Sequence, residues 1–145
     1  MVSQFVIFIP LIIGMTMSLL VQNQVNKTCG VRPDFTPPPY VFYTVWPILY
    51  LIIGFVFYQF LKKHSLTSRF SIFMILAFLL LNMWYVIYGN ICSPTNAFIA
   101  IILVTLLYYY ITYQLYKMNT TYWYLMIALL VWMTFASFLT YKSIP

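Results

Sequence analysis

The chain has one acidic side chain, Asp34, and one imidazole, His64, so groups that take or give a proton near neutral pH are almost missing. Asp34 and His64 fall in different polar segments. That leaves no Ser/His/Asp constellation and no set of His or carboxylate ligands for zinc. His64 follows Lys62 and Lys63, and a lone imidazole beside two lysines reads as a solvated residue rather than an axial haem ligand. Cys29 and Cys92 make neither a disulfide framework nor a metal set. No catalytic residue and no metal site is assigned.

What the chain has instead is aromatic surface, 21% Phe, Trp and Tyr. Trp46, Tyr50 and Phe57 are spaced i, i+4 and i+11 and share a helical face, with Ile53 and Gly54 beside it. Ala128, Trp132, Ala136 and Thr140 follow at steps of four, one large ring among small residues that allow close helix approach or leave room for a ligand. Helix packing alone would also produce such stripes. Trp46, Trp84 and Trp132 lie deep in apolar runs, where a lipid-facing indole would leave its N–H unpaired, so they are expected to face other helices or a cavity.

The elements that must position these rings are long apolar helices. Of the 145 residues 64% are hydrophobic and 6% charged, which places the chain in a bilayer. A hydrocarbon core about 30 Å thick takes roughly 20 apolar helical residues per crossing. Five runs satisfy this, at about 5–21, 40–61, 70–88, 97–116 and 122–141. The expectation is an all-α integral membrane protein: one domain, 1–145, a five-transmembrane-helix bundle with a long first loop. The first run has no Lys or Arg before it and no clear small-residue cleavage site after it, so it reads as a span rather than a signal peptide.

The first connection, Asn23 to Pro39, holds four of the chain's prolines, three of them consecutive at Pro37, Pro38 and Pro39, and cannot be helical. Five spans put Lys62, Lys63, Arg69 and Lys117 on the side of the N-terminus and Lys27, Arg32 and Lys142 on the other. That four-to-three excess places the N-terminus in the cytoplasm. Cys29 and Cys92 then share a side and could pair only if it is oxidising. Asn26-Lys27-Thr28 and Asn119-Thr120-Thr121 both fit the glycosylation acceptor pattern on opposite sides, so at most one is usable. The net charge of +6 is spread over loops and span ends, which indicates interfacial anchoring and no nucleic-acid partner. Tyr40, Tyr43, Tyr116, Tyr122, Trp123 and Tyr141 form the matching aromatic belts. No span carries a charge near its middle and none repeats a polar face, which argues against an ion-coupled transporter or a polar pore.

One stretch is more specific. Arg32-Pro33-Asp34-Phe35-Thr36-Pro37-Pro38-Pro39-Tyr40-Val41-Phe42, continuing through Val45-Trp46 and Leu49-Tyr50 to Gly54, resembles the signature of the translocator protein family, or tryptophan-rich sensory proteins (TspO/MBR). That signature reads roughly K-P-x-W-x-P-P-x-W-V-F-x-P-V-W-x-x-L-Y-x-x-M-G and matches without a gap. Arg32 stands for Lys, Phe35 and Tyr40 for Trp, Ile53 for Met and Thr44 for Pro, while Pro47 is an addition expected to kink the helix one turn deeper. Trp132-Met133-Thr134-Phe135-Ala136-Ser137-Phe138-Leu139-Thr140-Tyr141 resembles the family's W-x-x-F-A-x-x-L-N-Y. The third span matches less well: Leu81-Asn82-Met83-Trp84-Tyr85 leads to Gly89 without the family's Pro and with a shorter spacing, so either Trp84 or Tyr85 takes the family's Trp position.

The resemblance implies a five-helix protein that commonly dimerises, with a pocket closed by the first loop, binding porphyrins and in many members cholesterol or synthetic ligands. By carry-over the ligand-binding residues are Phe42, Trp46 and Tyr50, Asn82 and Trp84, and Trp132, Ala136, Ser137 and Leu139, with Arg32 as partner for a propionate. No cofactor is obligatory; porphyrin is expected as a ligand, with membrane lipids and a second copy of the chain as partners. The family's cholesterol motif needs a spacer between Tyr and the basic residue, which Tyr141-Lys142 lacks, though Val56…Tyr58…Lys62 and Leu107…Tyr113…Lys117 fit a looser form. The implied function is sensing, sequestration or transport, with light-dependent porphyrin degradation and a channel or lipid-moving activity as the alternatives.

Overall fold

The computed structural model describes residues 3–22, 33–91 and 93–145. Five α-helices follow one another: α1 Ile9–Gln22, α2 Pro39–Leu61, α3 Arg69–Val86, α4 Pro94–Lys117 and α5 Met126–Lys142. A 3-10 turn, Gln4–Phe8, leads into α1, another, Trp123–Leu125, leads into α5, and a π-helical turn, Ile87–Ile91, follows α3. Among the described residues there are no strands. Four stretches of the described residues are long and apolar enough to cross a membrane: Tyr40–Leu61, Arg69–Val86, Pro94–Lys117 and Trp123–Lys142. Gln4–Leu20 is apolar but shorter. Cys29 and Cys92, the Asn26 acceptor site, Lys27 and Arg32 lie outside the described residues.

Sequence explains the boundaries. Pro10 lies in the first turn of α1, where its missing N–H costs nothing, and marks the change from 3-10 to α geometry. It does not interrupt the span. Pro38 and Pro39 start α2 in the same way. The Ser68 side chain caps α3 by accepting from the Ser71 amide at 3.2 Å. Asn119, at φ 57°, takes the left-handed conformation that stops α4, and the Thr120 hydroxyl donates to the Leu115 carbonyl at 2.9 Å. Pro47 lies inside α2, which continues through it.

The helices close a ring in which α1 meets α2, α2 meets α5, α5 meets α4, α4 meets α3 and α3 returns to α1. Glycines permit the tightest contacts. A Cβ on Gly54 would land on the carbonyl oxygen of Ile7, so the start of the chain lies directly on α2. The Tyr50 ring occupies the space a Cβ on Gly14 would need. The α4–α5 seam carries two hydroxyl pairs, Thr105–Ser137 at 3.1 Å and Tyr109–Thr134 at 2.9 Å. Polar side chains of this kind join helices where the surroundings are apolar on every side.

Three lysines near helix ends lie over tyrosine rings. The ammonium groups of Lys62, Lys117 and Lys142 lie 4.8, 5.3 and 5.9 Å from the ring centres of Tyr58, Tyr113 and Tyr141. His64 is exposed, stacked on Phe60 at 4.2 Å and turned to the Phe60 carbonyl. This is the solvated position expected of it.

Candidate ligand-binding site

In the half of the bundle that faces the first loop, Trp46 of α2 stands at the centre of an aromatic cluster. It stacks on Tyr50 at 5.5 Å, lies 6.0 Å from Trp84 of α3 and meets Trp132 of α5 edge-on at 6.4 Å. Phe42 meets Trp132 at 5.6 Å from one side and Phe135 lies 5.4 Å away on the other. Tyr50 contacts Phe78 edge-on at 6.1 Å. Helices α2, α3 and α5 therefore bring three indoles together, with Trp46 meeting each of the other two.

The end of the first loop also meets α5. Thr36 donates from both its amide, at 3.1 Å, and its hydroxyl, at 2.6 Å, to the Pro33 carbonyl, forming the turn Pro33-Asp34-Phe35-Thr36. That turn lays Phe35 on α5, stacked on Phe138 at 5.4 Å and 6.5 Å from Phe135.

Among the described residues, two polar atoms in the cluster have no partner. Trp84 Nε1 and Trp132 Nε1 are both buried and make no hydrogen bond. A buried indole N–H normally finds an acceptor, and leaving it without one costs about 1–3 kcal/mol. The cluster thus offers ring faces for stacking and two buried donors that lack acceptors.

The other anticipated residues divide. Ala136 is buried on α5. Ser137 is buried too, but its hydroxyl donates to the Met133 carbonyl at 2.8 Å and lies against Thr105, which gives it a part in the α4–α5 seam. Leu139 is half-buried. The Asn82 side chain is buried and donates to the Phe78 carbonyl at 2.9 Å. Trp84 is the residue next to Trp46, while Tyr85 packs at 6.2 Å on the far side of Trp84. The four-residue stripe on α5 is not a single buried face: Ala128 is exposed, Trp132 half-buried, and Ala136 and Thr140 buried. Each step of four turns about 40° past a full turn, so four such positions sweep a wide arc. The π turn after α3 was not anticipated; it lies where the spacing between Asn82 and Gly89 departs from the family pattern.

Phe35, Phe42, Trp46, Tyr50, Gly54 and Trp132 are among the residues that carry the family resemblance, and the family model matches residues 6–144. The chain belongs to the TspO/MBR family. A search of curated proteins found no match. Membership together with the apolar helices makes it a multi-pass integral membrane protein.

Proposed function

We propose that this TspO/MBR protein binds tetrapyrroles, porphyrin or haem precursors, in the aromatic half of its bundle and serves their sensing, sequestration or transport. The observation that carries the reading is the pair of unpartnered indole donors, Trp84 Nε1 and Trp132 Nε1, on either side of Trp46. A tetrapyrrole supplies a flat face to Trp46 and Tyr50 and acceptor groups to the two N–H donors, and it needs no metal ligand from the protein. Because the rings touch one another, the ligand enters by replacing ring–ring contacts, with Phe35 moving off α5 as the lid. Arg32, carried over from the family signature, is the partner for a propionate.

The reading includes five membrane crossings. The 3-10 turn rises about 2 Å per residue against 1.5 Å in an α-helix. Gln4–Phe8 and Ile9–Gln22 together therefore reach about 31 Å, the thickness of a hydrocarbon core.

The test is a protoporphyrin titration of the detergent-purified protein followed by tryptophan fluorescence, repeated on Trp46→Leu, Trp84→Phe and Trp132→Phe. Saturable binding weakened in all three variants supports the reading. Unchanged affinity in Trp84→Phe and Trp132→Phe removes the role of the indole donors, and no saturable signal in folded wild-type protein turns the search to sterols. The contact of Trp46 with both Trp84 and Trp132 also favours a second reading, light-dependent porphyrin degradation with the indoles as redox groups. Loss of the porphyrin absorbance only with both light and protein distinguishes that chemistry from storage.

A further inference from the structure

We infer that the half of the bundle next to the N-terminus holds a second binding site, open sideways to lipid, for a hydrocarbon chain bearing a hydroxyl or ketone oxygen part-way along its length. A cavity of about 220 Å³ lies there between the start of the chain, α2 and α3, with Phe78, Tyr108 and Met126 forming its buried floor. Its rim includes Ile9, Ile13 and Leu79, which are 47%, 39% and 51% exposed. In a membrane protein, exposed apolar side chains of this kind face acyl chains, so the mouth between α1 and α3 opens into hydrocarbon.

Apolar side chains line the cavity except at Tyr108. An apolar cavity of about 150 Å³ stays dry and takes up benzene, and this one is larger. Left empty, it forfeits the dispersion contacts of every atom around it. The surrounding lipid offers chains of the right shape to fill it.

Tyr108 makes the site selective. It is 2% exposed, and its hydroxyl makes no hydrogen bond. The hydroxyl costs free energy unless an occupant supplies a partner. Its depth restricts what that partner is. Tyr108 lies nine residues before Lys117, the last residue of α4, which is about 13 Å along a helix axis. Half the hydrocarbon thickness is about 15 Å. Ester carbonyls and sterol hydroxyls stay at the headgroup level, so an oxygen that meets Tyr108 belongs to the middle of a chain.

This site is separate from the aromatic cluster. The Tyr50 ring, packed on Gly14 and edge-on to Phe78 at 6.1 Å, stands between them. The inference therefore does not depend on porphyrin binding.

The test uses the full-length protein in lipid nanodiscs, labelled with a photoreactive stearate and mapped by peptide mass analysis. Labels are expected on the facing sides of α1 and α3. Stearate hydroxylated near mid-chain should compete about five-fold better than stearate, the effect of one ordinary hydrogen bond. Tyr108→Phe should equalise the two competitors, and Leu79→Trp, which places an indole at the mouth, should suppress labelling while leaving the porphyrin titration unchanged. Equal competition in the wild-type protein, a preference retained in Tyr108→Phe, or competed labels found only on residues away from the cavity lining would overturn the inference. If Tyr108→Phe fails to fold, the wild-type comparison of the two chains decides alone.

Discussion

Replacing Gly54 with alanine adds one methyl group at a position where the Ile7 carbonyl oxygen already stands. In an unobstructed helix interior this substitution stabilises by up to about 1 kcal/mol, because glycine loses more backbone entropy on folding. Here the obstruction is backbone, which cannot rotate aside as a side chain can, so the whole N-terminal segment must move off α2. Overpacking of a well-filled contact costs about 1–3 kcal/mol, and a clash with backbone belongs at the upper end. The net expectation is about 2 kcal/mol of destabilisation, opposite in sign to the helix-propensity effect. With an unfolding entropy of about 2.1 cal/mol/K per residue, that lowers the midpoint by about 7 °C. Thermal unfolding in detergent, followed by circular dichroism, measures it. Gly14→Ala is the comparison: its obstruction is the Tyr50 ring, and pairing it with Tyr50→Leu should recover part of the loss. A Gly54→Ala protein that melts at or above the wild-type temperature would refute the account of how the start of the chain sits on α2.

Three further outcomes follow from the same geometry. Phe35→Ala should speed porphyrin release about three- to ten-fold, since ring pairs contribute about 0.5–1.5 kcal/mol beyond area; stopped-flow dissociation checks it, and an unchanged rate would remove Phe35 as a lid. Thr105→Val and Ser137→Ala, combined in a double-mutant cycle, should show a coupling near 0.6 kcal/mol, typical of interhelical hydrogen bonds in membranes; zero coupling would mean each hydroxyl bonds only to its own helix. Single cysteines at Ser3 and Asn119 should react with an impermeant thiol reagent from one side of sealed vesicles and a cysteine at the exposed Pro145 from the other, in a chain otherwise freed of Cys29 and Cys92. Reaction of Ser3→Cys on the same side as Pro145→Cys would exclude five crossings.

Much of the fold is legible in the sequence. The observed helices begin and end within a few residues of the apolar runs, because hydropathy and length alone decide where a chain can span hydrocarbon. Pro38, Pro39, Ser68 and Asn119 fix their boundaries by local rules of capping and backbone conformation that do not depend on packing. The family signature from Arg32 to Gly54 also lies within one continuous segment, so it needs no tertiary information. What composition could not reveal is which side of each helix faces inward. In a soluble protein a polar face marks the outside, but here both faces are apolar, as on α3, where Leu81 is buried and Leu79 exposed.

Tertiary structure therefore decided the site. Trp84 and Tyr85 are neighbours in sequence about 100° apart on the helix, and only packing against α2 places the indole of Trp84 beside Trp46. The steps of four on α5 read as one face until their drift turns Ala128 outward. Ser137 resembles a pocket residue in sequence, and the α4 partner that gives it a structural bond is 32 residues away. Tyr108 is one of three consecutive tyrosines on α4; burial leaves its hydroxyl without a partner, while Tyr109 reaches Thr134. The sequence by itself determined how many apolar helices there are, where they lie and which family they belong to, since those depend on the solvent and on local chain geometry. Which rings meet, which donors lack acceptors and where space is left depend on contacts between distant segments, and only the packed bundle decides them.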